Sequence, residues 1–287
     1  MKFVKNMFNL ILSFLLTIIV ILSVLMCIVD FKVLSINYYK NIFEKNGFYE
    51  AVLEEVNSGF ENFIYQSGLP ENIIVDLATK EVVKKDIDNI VASVINNETY
   101  SFSSEVIKEK LDLRINEFIE KENRTLTKEE KNNIIKFEEL IVSSYEESIL
   151  PVKGVIEPVK DYTFKITNIF NKIKVIPIVV LVVLILIINM INKNEKIKVV
   201  NYIGITVLSA GIILVLLENV LFKNIDIDNI VVFTNSMTNL VKVIFKDIVY
   251  GIGGIGKGLS ITGFCMVLFY SILYENGIKN LGKSNKH

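Results

Sequence analysis

The chain has no tryptophan, two cysteines, four prolines, two arginines and one histidine, His287, in 287 residues. Each scarcity removes a class of chemistry. A single terminal histidine leaves no imidazole for acid–base work, for a nucleophile-and-base pair or for a zinc cluster. Cys27 and Cys265 both fall in long apolar runs, and the helical rise puts them roughly 15–20 Å apart in depth, too far for a disulfide. Any polar domain must therefore fold without cross-links. No G-x-S-x-G and no metal-ligand spacing occurs. The expectation is a protein that is not an enzyme, with no catalytic residue, cofactor or metal.

What the chain has in plenty is apolar sequence. Hydrophobic residues make up 51% and the mean hydropathy is +0.46, yet 22% of residues are charged, so charge and apolar runs must be segregated. Four runs stand out, at Met7–Val29, Val175–Ile191, Val199–Phe222 and about Gly251–Tyr274. Their lengths match a bilayer's hydrocarbon core wound as helix. Residues 30–174 carry 19 Lys+Arg against 26 Asp+Glu, whereas Lys2, Lys5, Lys193, Lys196, Lys198, Lys279, Lys283 and Lys286 flank the runs on one side of a four-span topology. Short basic segments stay in the cytoplasm. Both termini are thus expected inside, with residues 30–174 and 223–250 outside. Met7–Val29 reads as an uncleaved signal anchor, since no A-x-A-like site follows. The stretch Leu22–Cys27 is not a lipoprotein box, because Met26 stands where a small residue is needed. Abundant Ile, Asn and Lys with two arginines suggests an AT-rich bacterial genome and hence a bacterial plasma membrane.

The fold class expected is all-α: a polytopic membrane protein with four transmembrane helices and a large extracytoplasmic helical bundle between spans one and two. Its parts are residues 1–29 (cytoplasmic start and first span), 30–174 (the bundle) and 175–287 (spans two to four, an external amphipathic loop at 223–250 and a cytoplasmic tail). Helical stripes run through the bundle: Tyr49, Val52, Val56, Phe60 and Phe63; Ile73, Leu77, Val83, Ile87, Ile90 and Val94 behind Pro70; Ile107, Leu111, Ile115 and Phe118; Ile134, Phe137, Ile141, Tyr145 and Ile149. Thr127 with Glu130 makes a capping box, Pro151 stops the helix that follows, and Gly47 and Gly68 mark breaks. Phe31, Leu34, Tyr38 and Ile42 prolong the first span's stripe, while Val155, Val159, Tyr162, Ile166, Ile169 and Ile173 step by four and three into the second. The two arms are expected to pack as a stalk, Leu34 level with Phe170 and Ile42 with Tyr162.

Few groups carry candidate chemistry. Gly251–Gly258 (GIGGIGKG) nearly matches a phosphate-binding loop but lacks the terminal hydroxyl and a preceding strand. Its glycines are better read as helix-packing residues: Gly254 with Gly258, and Gly256 with Ser260, at the spacing that lets helices approach closely in lipid. Glu218 and Lys257 are ionisable residues within spans at similar depth. Such groups pair across helices or snorkel to the interface, and a Glu218–Lys257 intramembrane ion pair is one of those two outcomes. The hexapeptide Asp86–Val91 (DIDNIV) recurs at Asp226–Val231, where paired aspartates could hold a cation, although chance explains it in so biased a composition. Two sequons, at Asn97 and Asn123, carry little weight in a bacterium. Met237, Leu240, Val241, Ile244, Phe245 and Ile248 form one face of an amphipathic helix, either on the membrane surface or under the bundle.

Taken together, the residues point to a non-enzymatic protein whose bundle senses or docks a partner above a membrane base. Its partners are the lipid bilayer, a protein met through the bundle and a further copy of the chain; nucleic acid is excluded by the acidic bundle and the shortness of the basic clusters. In layout alone, one span, a large insert and three spans resembles the four-span ABC permeases of the cell-division and macrolide-export types. That likeness implies a component of a transport or export system, but the link Asn192–Lys198 leaves little room for an ATPase-coupling helix.

Overall fold

The structure is a computed structural model that describes residues 2–123, 125–150 and 153–284. Pro151, His287 and Arg124 of the second sequon lie outside the described residues, as do the side chains of Val155, Lys279 and Lys283. The described residues are helical with no strand. Ten α-helices follow in order: α1 Lys2–Ile28, α2 Ile36–Lys45, α3 Phe48–Ser67, α4 Lys80–Asn96, α5 Ser104–Lys121, α6 Lys128–Ile149, α7 Lys153–Ile173, α8 Ile176–Ile191, α9 Lys196–Asn224 and α10 Asn235–Ser284. The chain divides into two compact units. The first comprises Met1–Val33, Asn168–Ile230 and Lys242–His287, and the second Leu34–Thr167 and Val231–Val241.

The first unit holds the apolar helices. Four stretches are long and apolar enough to cross a membrane, Phe3–Val33, Pro158–Ile191, Lys196–Asn224 and Asn235–Glu275, which is compatible with a multi-pass membrane protein. Leu12, Leu16, Ile188, Val199 and Tyr202 bury one cluster among α1, α8 and α9, and Ile28, Leu214 and Ile252 a second. Outward side chains such as Phe14, Leu186, Leu216 and Phe264 stay exposed, and apolar exposure on this scale is the mark of a surface that water does not cover. Ion pairs stand at both ends. At one end Lys5 pairs with Glu195 at 3.1 Å. At the other, Asp30 pairs with Lys174 at 3.0 Å and Lys32 with Asp247 at 2.6 Å. A π-helical turn at Val29–Val33 carries both Asp30 and Lys32. Lys5 and Asp30 stand about 37 Å apart along α1, close to a hydrocarbon core plus part of its interfaces.

The second unit is built by the stripes. Tyr49, Val52, Val56 and Phe60 on α3, Ile107, Leu111 and Ile115 on α5, and Phe137, Ile141, Tyr145 and Ile149 on α6 are all buried, each such side chain stabilising the fold by about 1.5–3 kcal/mol. Gly59 lets α3 and α6 approach, since a Cβ there would meet the Ser144 hydroxyl. Thr127 caps α6: its hydroxyl accepts from the Glu130 N–H at 3.2 Å and its own N–H donates to Glu130 at 2.8 Å. Gly47 and Gly68, at φ +63° and +72°, end their helices in the left-handed region.

Three expectations are corrected. Behind Pro70 there is only a 3-10 turn, Glu71–Ile73, because Asp76 adopts φ +54° and the extended Thr79 starts α4 at Lys80. The amphipathic helix expected at Met237–Ile248 is present, but it does not stand apart from the apolar stretch: α10 begins at Asn235 and runs on unbroken, no proline separating the two. The stalk seam is not packed as expected either. Val159, Tyr162 and Ile166 are exposed, whereas Lys160 and Phe170 on the neighbouring face are buried.

Candidate functional site

In the first unit, Lys257 Nζ lies 3.1 Å from a Glu218 carboxylate oxygen. The carboxylate is buried at 8% exposure while the ammonium is 60% exposed. One partner is locked in protein and the other leans out along α10, as a lysine stem on an apolar surface does. Gly253 makes the pocket for the carboxylate, because a Cβ there would collide with it. The small residues of α10 divide into two sets. Gly256 and Ser260 press against Gly211 of α9, and Gly263 presses on the Leu208 backbone. Gly254 and Gly258, expected to pack as well, face open space. All of Gly251–Gly258 is helical, so its amides are spent on the helix ladder and cannot cradle a phosphate.

Polar residues that sequence reasoning passed over sit deep in the same unit. The side-chain amides of Asn9 and Asn192 exchange two hydrogen bonds, at 3.2 and 3.1 Å, and both residues are fully buried. Thr206 donates to the Ser13 carbonyl at 3.2 Å. A lone asparagine inside an apolar run was the available signal, since burial in such a place demands a partner.

The second unit carries a groove of about 460 Å³ between α3, α5 and α6. Phe63, Leu69, Phe118, Ile134, Phe137 and Leu140 line it, with Glu130, Asn133 and Lys136 also on its wall. That volume lies in the range of small-molecule sites. Its one hydroxyl on α3, Ser67, donates to the Ile64 carbonyl at 2.8 Å and accepts from the Leu69 N–H at 3.0 Å. That hydroxyl is thus tied to backbone on both sides.

In the same unit, two carboxylates of the repeated hexapeptide act as buckles. Asp86, 1% exposed, accepts from the Ser103 N–H, the Ser103 hydroxyl and the Tyr145 hydroxyl, each at 2.7 Å. Asp88 accepts from the Tyr49 hydroxyl at 2.7 Å and pairs with Lys40 at 3.3 Å. Burial, then the neighbouring aspartate, pushes both tyrosines above the usual phenol range. In the second copy Asp226 accepts from Asn229 and Asp228 pairs with Lys246. All four aspartates are engaged by donors. Nearby, burial and then the Asp112 carboxyl push Glu138 up to about 7.

The start of α10 belongs to this second unit as well. Glu55 on α3 accepts from the Ser236 N–H at 3.1 Å and from its hydroxyl at 2.8 Å, so a carboxylate caps the positive end of the helix. Thr238 ties Val232 through its N–H at 2.9 Å and its carbonyl at 2.8 Å.

No protein-family model, curated protein or solved structure matches the chain. Its function must be read from these sites alone. The pair Glu218–Lys257 fastens α9 to α10 in the first unit; in the second, the groove is the place with room for a guest and Glu55 caps the start of α10. Neither Glu55 nor Glu138 was distinguishable in sequence, each being one of many surface-patterned glutamates until its partner from another helix was known.

Proposed function

We propose that the chain is a non-enzymatic sensor or docking protein of the bacterial plasma membrane. Its first unit is a four-span base with both termini cytoplasmic, and its second is an extracytoplasmic helical bundle. The bundle takes a small amphiphile in the α3–α5–α6 groove, apolar body inward and charged end at Glu130 and Lys136, and reports occupancy through α10. The observation that carries this reading is α10 itself. It is capped by Glu55 in the bundle, and the same unbroken helix contains an apolar stretch suited to crossing a membrane.

The permease layout gains nothing further. The link between α8 and α9, Asn192–Glu195, is occupied by its own contacts, Asn192 with Asn9 and Glu195 with Lys5 and Lys198.

Cys265, exposed on α10, supplies the test. In a Cys27→Ser background, its reaction rate with a membrane-permeant maleimide is compared between wild type, Glu55→Gln and Ser236→Ala. A severalfold change in rate is expected on loss of the cap, the order of a coupling free energy near 1 kcal/mol. Unchanged rates in both variants would remove the relay.

A further inference from the structure

The groove of the second unit carries polar side chains from Ser67, Glu130, Asn133 and Lys136 on its wall, and two of these are already engaged. The Ser67 hydroxyl is held by backbone on both sides. The Glu130 carboxylate accepts from the Thr127 N–H at 2.8 Å and from the Thr127 hydroxyl at 3.0 Å, so it is committed to the capping box that starts α6. The Asn133 amide and the Lys136 ammonium, both on exposed residues, enter no hydrogen bond or ion pair among the described residues. One is a neutral donor and the other a cation. From this division we infer that the groove selects a single-chain amphiphile with an anionic oxygen head, held by Lys136 and Asn133. The inference rests on the amphiphile reading proposed above and sharpens it: of the two charges at the polar end, Lys136 is the one open to the guest.

Size, shape and charge select this occupant. The volume of about 460 Å³ suits a small molecule. A peptide helix does not fit, because one turn of a cylinder about 10 Å across and 5.4 Å long already takes up about 420 Å³. The body of the guest meets rings from three helices, the half-buried Phe63 of α3 and Phe118 of α5 and the buried Phe137 of α6. Leu140, 46% exposed, extends that wall. Asn133, Lys136 and Leu140 follow one another at steps of three and four along α6, so the two open donors stand in line with the apolar wall and can meet the head of a molecule whose chain lies against it. Residues 30–174 hold more acidic than basic side chains, and such a field does not draw an anion in from a distance. The apolar body therefore supplies the affinity, and Lys136 the choice of head, through a charge-assisted hydrogen bond that a neutral or cationic head does not make.

The test uses the full chain in nanodiscs and three photo-reactive probes that share one diazirine-bearing alkyl chain and end in a carboxylate, an alcohol or an ammonium group. Labelled peptides are read by mass spectrometry, and labelling of the apolar helices of the first unit serves as the internal reference for each probe's partition into lipid. The carboxylate probe is expected to label the groove peptides of α3, α5 and α6 about tenfold more than the ammonium probe, the order of one hydrogen bond to a charged group. Lys136 is exposed, so its replacement leaves the fold intact, and Lys136→Glu should reverse the order of the two probes. Lys131→Glu, at an exposed lysine of the same helix that does not line the groove, should leave the order unchanged. Leu140→Asn should weaken labelling by all three probes alike. Equal labelling by the three heads, or a carboxylate preference that persists in Lys136→Glu, would overturn the assignment of an anionic head while the amphiphile reading stands. No labelling of the groove peptides by any probe would overturn both.

Discussion

Removing one oxygen atom tests how the bundle is held. Tyr145→Phe keeps the ring, which is fully buried, and deletes only the hydroxyl that donates to Asp86 at 2.7 Å. Asp86 retains both bonds from Ser103, but at 1% exposure water cannot replace the third. A hydrogen bond to a charged group contributes about 1.5–3 kcal/mol. For a unit of this size that corresponds to a Tm lower by about 4–8 °C. The assay is thermal unfolding of the full chain in nanodiscs, followed by circular dichroism, with the exposed Tyr162→Phe as the control. Asp86→Ala should cost more, because it strands the Ser103 N–H, the Ser103 hydroxyl and the Tyr145 hydroxyl at once. The double variant should cost less than the two singles added, as partners in one network do. The pH dependence has a definite sign. Tyr145 is held above the ordinary phenol value, so its contribution is intact below a pH of about 10 and is lost as pH rises beyond it. Wild type should therefore lose its advantage over Tyr145→Phe in strong alkali. A Tyr145→Phe Tm equal to that of Tyr162→Phe would refute the account of Asp86 as the central acceptor.

Three further outcomes are expected. In a background without native cysteines, Ser143→Cys should react with an impermeant maleimide on intact cells and Lys193→Cys should not; the reverse pattern inverts the proposed topology. Gly253→Ala, whose methyl would strike the Glu218 carboxylate, should lower thermal stability by an amount on the scale of overpacking, about 1–3 kcal/mol, while Gly254→Ala, which meets nothing, should be neutral or slightly stabilising in the same melt. Glu138, raised to about 7 mainly by burial, contributes stability that is full below its ordinary carboxylate value and lost as pH climbs through 7. Wild type should therefore gain on Glu138→Gln as pH falls from 8 to 5, and a constant difference between the two melts would remove that titration.

Periodicity made the stripes of α3, α5 and α6 legible, because burial there follows directly from which residues recur on one helical face. The same reasoning failed on α7 for an instructive reason. A 3-4 spacing specifies a face and not what covers it, and Val159, Tyr162 and Ile166 stand exposed where an intrachain arm was expected. The start of α10 was misplaced because amphipathic and fully apolar stretches were treated as different elements, although nothing between Asn235 and Gly251 breaks a helix. Glu218 and Lys257 were visible as charges in apolar runs, and their distance came from α9 and α10 meeting at Gly211 and Gly256. Which glycines would pack was not readable, since Gly254 and Gly256 differ only in rotation about an axis whose neighbour is unknown from sequence. The Glu55 cap and the Asp112–Glu138 pair depend on tertiary placement alone.

The paired asparagines bear on what kinds of motion the base permits. Asn9 and Asn192 join α1 to α8 near one end, and Asp30 and Lys174 join the same strands of chain at the other. The two ties are about 31 Å apart along α1 and about 27 Å along the facing segment. Sliding α1 past α8 by a helical turn, roughly 5.4 Å, would break both at once and leave the buried Asn9 and Asn192 amides without partners. A piston stroke between these two helices is therefore closed off. The α9–α10 contact is built differently, with glycines where the two backbones meet and the Glu218–Lys257 pair fastening them.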